Sequence, residues 1–206
     1  MRTRWLGFAD QLAISRDAAG EIWCQLELAY GENGRFYHTL THIQHVLDIA
    51  EQLQESAADF TAVQLAIWFH DVVYNPRRSD NEAQSAALAQ TLLRPLSMPA
   101  QTLTTVANLI LATQTHETAV TDPNTFVMLD ADLAIFCASP KQYDAYAQAI
   151  RQEYSFVPEE AYRAGRTAVL ERFLARSPFY FTKKMQMMGE TAVRQNITRE
   201  LTRLNV

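Results

Sequence analysis

Ala66-Ile67-Trp68-Phe69-His70-Asp71-Val72-Val73-Tyr74 places an imidazole and a carboxylate side by side at the end of an apolar run. The first four residues read as an apolar helix that Asn75-Pro76 must end, because proline lacks the N–H and clashes with the preceding turn. Burying His70 and Asp71 is costly unless something pairs with them, and a divalent cation would satisfy both. A core histidine beside an aspartate bonded to backbone is the competing reading. Adjacent helical residues point about 100° apart, so the two converge on one ion only near a helix end or a bundle crossing. The position just before a breaker allows that.

The rest of the chain repeats the helical pattern. Apolar stripes at helical spacing run through Trp5, Phe8 and Leu12, through Ile22, Leu26 and Ala29, through Leu40, Ile43, Val46, Leu47 and Ala50, and through Leu103, Val106 and Ile110. Segments 140–156 and 158–176 each open on a proline suited to a first helical turn, and a last helix runs from Thr182 to Leu204. Breakers fall at Gly31–Gly34, Asn75-Pro76, Pro95–Pro99, Asp122-Pro123-Asn124 and Ser177-Pro178. With 6 Gly and 7 Pro in 206 residues, and strand-like alternation only in short stretches, the expected fold is all-α. It is a single bundle of roughly nine or ten helices forming one domain over residues 1–206. The core of the metal site spans about residues 25–140, with C-terminal helices of about 141–206 packed on it.

A net charge of −5 and a pI near 5.5 argue against an extended nucleic-acid partner held by a basic field, but leave room for a small phosphorylated substrate. Cys24 and Cys137 are too few for a disulfide framework and read as semi-buried thiols in a reducing compartment. No secretory segment opens the chain, and no apolar run approaches the roughly 18 residues of a membrane span. The expectation is a soluble, cytoplasmic protein with no membrane partner.

Three of the five histidines lie in Tyr37-His38-Thr39-Leu40-Thr41-His42-Ile43-Gln44-His45-Val46. His38 and His42, at i and i+4, share a face of the predicted helix. His42 adjoins the buried stripe, whereas His45 reads as a surface residue. Met128-Leu129-Asp130-Ala131-Asp132-Leu133-Ala134-Ile135 sets two carboxylates at i and i+2 in an apolar run, so at least one is buried and paired. Imidazole with carboxylate suits Mn, Fe, Co, Ni or Zn rather than a thiophilic ion.

The motifs run Tyr37-His38-x-x-x-His42-Ile43, Phe69-His70-Asp71-x-Val73-Tyr74 and Asn81-Glu82-x-x-Ser85-Ala86. They continue with Thr113-x-x-His116, Asp130-x-Asp132-Leu133-x-Ile135 and Arg151-x-Glu153-Tyr154, over residues 37–154. In this order they resemble the HD superfamily of metal-dependent phosphohydrolases, above all a small bacterial group of predicted HD phosphohydrolases. The resemblance implies an HD-type helical bundle with a C-terminal extension. It also implies a divalent ion (Mn, Fe, Co, Ni, Zn or Mg) on His42, His70, Asp71 and Asp132. Asp132 is preferred to Asp130 because the family places its ligand directly before a helix-continuing residue such as Leu133.

Further roles are read from the residues beside the resemblance. Glu82 positions or deprotonates a water, unless Ser79-x-x-Glu82 is only a capping box opening a helix over Glu82–Leu93. His116 donates a proton to a leaving oxygen or binds phosphate, the alternative being an exposed histidine favoured by the helix dipole. His38 contacts phosphate or a second metal. Arg77 and Arg78 anchor phosphate, or form a solvated turn. Arg151 with Glu153-Tyr154 closes the helical extension over the site as a packing set, and Lys183-Lys184 cover a helix start. The implied activity is hydrolysis of a phosphate ester of a small, possibly nucleotide, substrate. A di-metal HD-type oxygenase would need more ligands, with His38, Glu82 and His116 the obvious spares. A regulatory module would keep the metal without turnover.

Overall fold

Helix α4 (Phe60–Phe69) is the axis of the molecule. Its residues Ala62, Val63, Leu65, Ala66, Ile67, Trp68 and Phe69 are buried on all sides, as befits a helix with neighbours all round. The computed structural model describes residues 1–119 and 121–205, and among them are ten α-helices and no strand. Around α4 pack α3 (Leu40–Gln52), α5 (Asn81–Leu93), α6 (Ala100–Ala112) and α7 (Pro123–Asp132). Asp59 caps the start of α4 by accepting from Ala62 N, and Asn124 Oδ1 on α7 accepts from Ala58 and Asp59 N at 2.9 and 2.7 Å. One end of the axis is thereby fixed to the helix that carries Asp132.

The other end departs from the expectation that Asn75-Pro76 stops the helix. α4 ends at Phe69, with His70 as its C-cap and still in helical geometry. Side chains take the orphaned carbonyls there. Tyr30 Oη donates to Trp68 O at 2.9 Å and His70 Nδ1 to Ile67 O at 2.9 Å. The buried Arg35 donates to the Asp71 and Val72 carbonyls at 2.6 and 2.9 Å. A cation at a helix C-terminus is favoured by the dipole as well as by hydrogen bonding.

α1 (Arg2–Gln11) and α2 (Arg16–Tyr30) close the base. Trp5 meets Trp68 and Phe69 edge-on at 5.5 and 6.2 Å, and its Nε1 donates to Ala19 O at 2.8 Å. Trp68 and Phe69 are therefore core residues. The Thr39 hydroxyl accepts from Thr41 N and starts α3 at Leu40, so His38 lies ahead of the helix and does not share a helical face with His42. α5 has Asp80 at its N-cap with no side-chain cap bond, so the Ser79–Glu82 capping box does not form. Cys24 is exposed rather than semi-buried, while Cys137 is half-buried, and both are free thiols.

α7 runs into a 3-10 turn, Leu133–Cys137, and the C-terminal helices pack on it. These are α8 (Pro140–Glu153), α9 (Glu159–Leu174) and α10 (Lys183–Leu204). Asp130 is buried and its two oxygens accept from Phe181 N and Thr182 N at 2.8 and 2.7 Å, at the entry to α10. Gly189 lets α10 approach the turn, since a β-carbon there would lie 2.9 Å from Cys137 Cβ and 2.8 Å from a Tyr180 ring carbon. Arg166 on α9 and Glu200 on α10 form a buried pair at 2.8 Å, with Tyr143 donating to the same carboxylate at 2.5 Å. No helix of the described residues is long and apolar enough to cross a membrane.

Candidate metal centre

His42 rises from the first turn of α3, His70 caps α4, Asp71 follows it, and Asp132 is the last residue of α7. Both histidines are buried, at 4% and 1% exposure. Their Nε2 atoms are 3.1 Å apart. Asp132 Oδ1 lies 3.2 Å from His42 Nε2 and 3.4 Å from His70 Nε2. Asp71 Oδ2 lies 3.4 and 3.0 Å from the same two nitrogens. Donors about 2.1 Å from a shared ion sit about 3.0 Å apart at octahedral and about 3.4 Å apart at tetrahedral corners. The five separations fit that range, and His42, His70 and Asp132 form a group whose donor atoms all lie within 4.8 Å of one another.

The tautomers point the same way. Ile67 O can only accept, so His70 Nδ1 carries the hydrogen and Nε2 of the neutral ring offers a lone pair to the centre. Two ring nitrogens with a carboxylate oxygen of Asp132 and one of Asp71 each within 3.4 Å of them attract each other only through protons or a cation. Burial works against protonated imidazoles, yet Asp71 and Asp132 lift the pKa of His70 well above its ordinary value, and that of His42 also rises. Burial likewise opposes ionised carboxyls, but His70 holds Asp71 and Asp132 well below the usual range. His42 Nδ1 is buried with no hydrogen-bond partner among the described residues. The donor set fits a divalent ion of borderline or hard character.

The remaining sequence-selected residues surround this point. His116 Nε2 lies 2.8 Å from Asp132 Oδ2, so it holds the outer oxygen of the carboxylate whose inner oxygen faces the histidines. It sits in left-handed backbone (φ 54), a conformation disfavoured for residues other than glycine, on the turn after α6. His38 Nδ1 pairs with Glu153 Oε2 at 2.7 Å, and its ring stacks on Tyr74 at 4.1 Å. Glu82 lines the adjoining cavity with its carboxylate in no hydrogen bond or ion pair among the described residues. Arg78 reaches the cavity but is bound to Asp80 at 2.6 Å. Arg77 lies outside the cavity lining, over the Phe156 ring at 3.7 Å. His45 is half-buried, and burial lowers its pKa. Asp130 is turned away to its cap at α10, so Asp132 alone of the two reaches the histidines.

Two supporting residues escaped the sequence reading in these roles. Glu153 Oε1 accepts from Phe36, Tyr37 and His38 N at 2.8, 2.8 and 3.0 Å, and Tyr74 Oη donates to Oε2 at 2.9 Å. Burial opposes its charge, but His38 and those N–H groups hold its pKa at about 2. Its membership of Arg151-x-Glu153-Tyr154 was the available signal. Arg151 itself pairs with Glu159 at 3.0 Å. Arg35 had no signal, since an arginine after Gly34 reads as a loop residue.

No family model matches the chain, and neither the curated proteins nor the solved structures gave a match.

Proposed function

We propose that the chain is a metal-dependent phosphohydrolase of the HD type acting on a small phosphate ester. One observation carries this reading: His42, His70 and Asp132 converge on one point at the wall of a cavity, with Asp71 beside them. The motif order described above supports it. A divalent ion held there would supply a lowered water pKa and charge neutralisation on phosphoryl oxygens.

The chain's own residues do the rest. Asp71 completes the donor set, its backbone held by Arg35. Glu82, with a free carboxylate at the cavity wall, orients the attacking water and takes its proton. His116 positions Asp132 through its outer oxygen. His38, steadied by Glu153 and Tyr74, faces the cavity and meets phosphoryl oxygens. The oxygenase reading would recruit His38, Glu82 and His116 to a second ion, but none of the three joins the group formed by His42, His70 and Asp132. The donor set favours one ion.

The test is a phosphomonoester panel assayed with Mn, Fe, Co, Ni, Zn and Mg. Wild type turns over at least one ester with at least one ion. His70→Ala loses more than about a hundredfold, beyond what an outer-shell contact accounts for. Equal rates for the two proteins sink the proposal.

A further inference from the structure

The cavity beside the metal centre is larger than a phosphate needs. It measures about 690 Å³, a size that houses a small organic molecule. Its far wall is apolar and aromatic, built from α8, α9 and the 3-10 turn by Phe136, Ile150, Tyr154, Tyr162 and Val169. Gly165 faces this space from the middle of α9. An interior glycine weakens a helix, and neither a positive φ nor a close neighbour calls for one here. A β-carbon at Gly165 meets no atom within 4 Å. Ala161, Gly165 and Val169, spaced by four, put one exposed face of α9 on the cavity. The absent side chain leaves cavity width.

The charges limit the occupant. Of the guanidinium groups in the lining, Arg78 is bound to Asp80 and Arg166 to Glu200. The third, Arg172, binds no carboxylate among the described residues. Against it stand Asp71, Asp132 and Glu82. A divalent ion brings this set near balance, which suits one phosphate and leaves no surplus positive charge to hold a polyphosphate chain.

We propose that the α8–α9 wall is a subsite for the body of the substrate, and that the substrate is a phosphomonoester with one phosphate on an uncharged, apolar or aromatic body. This rests on the phosphohydrolase reading above. The experiment uses the Mn-loaded full chain and two unreactive probes, phenylphosphonate and methylphosphonate, titrated by calorimetry. Wild type prefers the phenyl probe by about tenfold or more, from burial of the ring. Gly165→Leu fills the wall and abolishes that preference, while methylphosphonate affinity and metal content stay unchanged. Val169→Asp, at an exposed position, tests the same wall without added bulk and gives the same loss. Unchanged phenylphosphonate affinity in both variants overturns the subsite, as does tighter binding of a nucleoside triphosphate than of phenylphosphonate. A phenyl preference without turnover of any ester supports the subsite and counts against the phosphohydrolase reading, so the two failures are distinguishable.

Discussion

Replacing Glu153 by Gln tests how the C-terminal helices hold the site. The carboxylate sits at the end of α8 with its side chain fully buried, collecting three backbone N–H groups, His38 Nδ1 and Tyr74 Oη. Against the burial that opposes its charge, these partners lower its pKa from 4.5 to about 2. A shift of about 2.5 units is worth about 3 kcal/mol. Because the folded pKa is the depressed one, this stability is fully present above pH 4.5 and is lost as pH falls toward about 2. Glu153→Gln keeps the size of the side chain but turns an amide N–H₂ toward donors. Urea unfolding monitored by tryptophan fluorescence should show the variant less stable by about 3 kcal/mol at pH 7, and by only about 1 kcal/mol at pH 3. A gap below about 0.5 kcal/mol at pH 7, or one that does not change with pH, would refute the argument, since it would mean that the three N–H groups are equally content with a neutral acceptor.

Two more perturbations address the centre itself. Metal uptake must displace protons that Asp71 and Asp132 favour on His42 and His70. Affinity should therefore rise with pH across the neutral range, with proton release seen as a dependence of calorimetric enthalpy on buffer ionisation heat. A pH-independent affinity contradicts that competition between metal and protons. Arg35→Met leaves the Asp71 and Val72 carbonyls without their donor and should lower metal affinity about 10- to 100-fold. Metal titration followed by Co²⁺ absorption checks this, and an unaltered affinity would show that Asp71 needs no such anchor.

What the sequence makes legible depends on whether a feature is local. The helices are local: the stripe over Leu40–Ala50 and the prolines at 140 and 158 foretell α3, α8 and α9 to within a few residues, because 3.6-residue periodicity and a first-turn proline act within one segment. The end of α4 is not local. Asn75-Pro76 is the nearest breaker, yet the helix stops at Phe69, where Tyr30 and Arg35 take the carbonyls from another part of the chain. The same distinction separates His42 from His38. His42 adjoins a stripe visible in its own segment and does reach His70, whereas His38 leaves the helix for Glu153, 115 residues away. For Asp130 and Asp132, spacing alone shows only that two carboxylates in an apolar run need partners. The fold assigns them, one to the N–H groups at the start of α10 and one to the histidines. The adjacency of His70 and Asp71 gains its meaning from the same source. On a continuing helix the pair would diverge, and the early stop of α4, beyond which Arg35 holds the Asp71 and Val72 carbonyls, sets Asp71 Oδ2 3.0 Å from His70 Nε2. The residue with the weakest sequence signal thus braces the backbone of the pair with the strongest one.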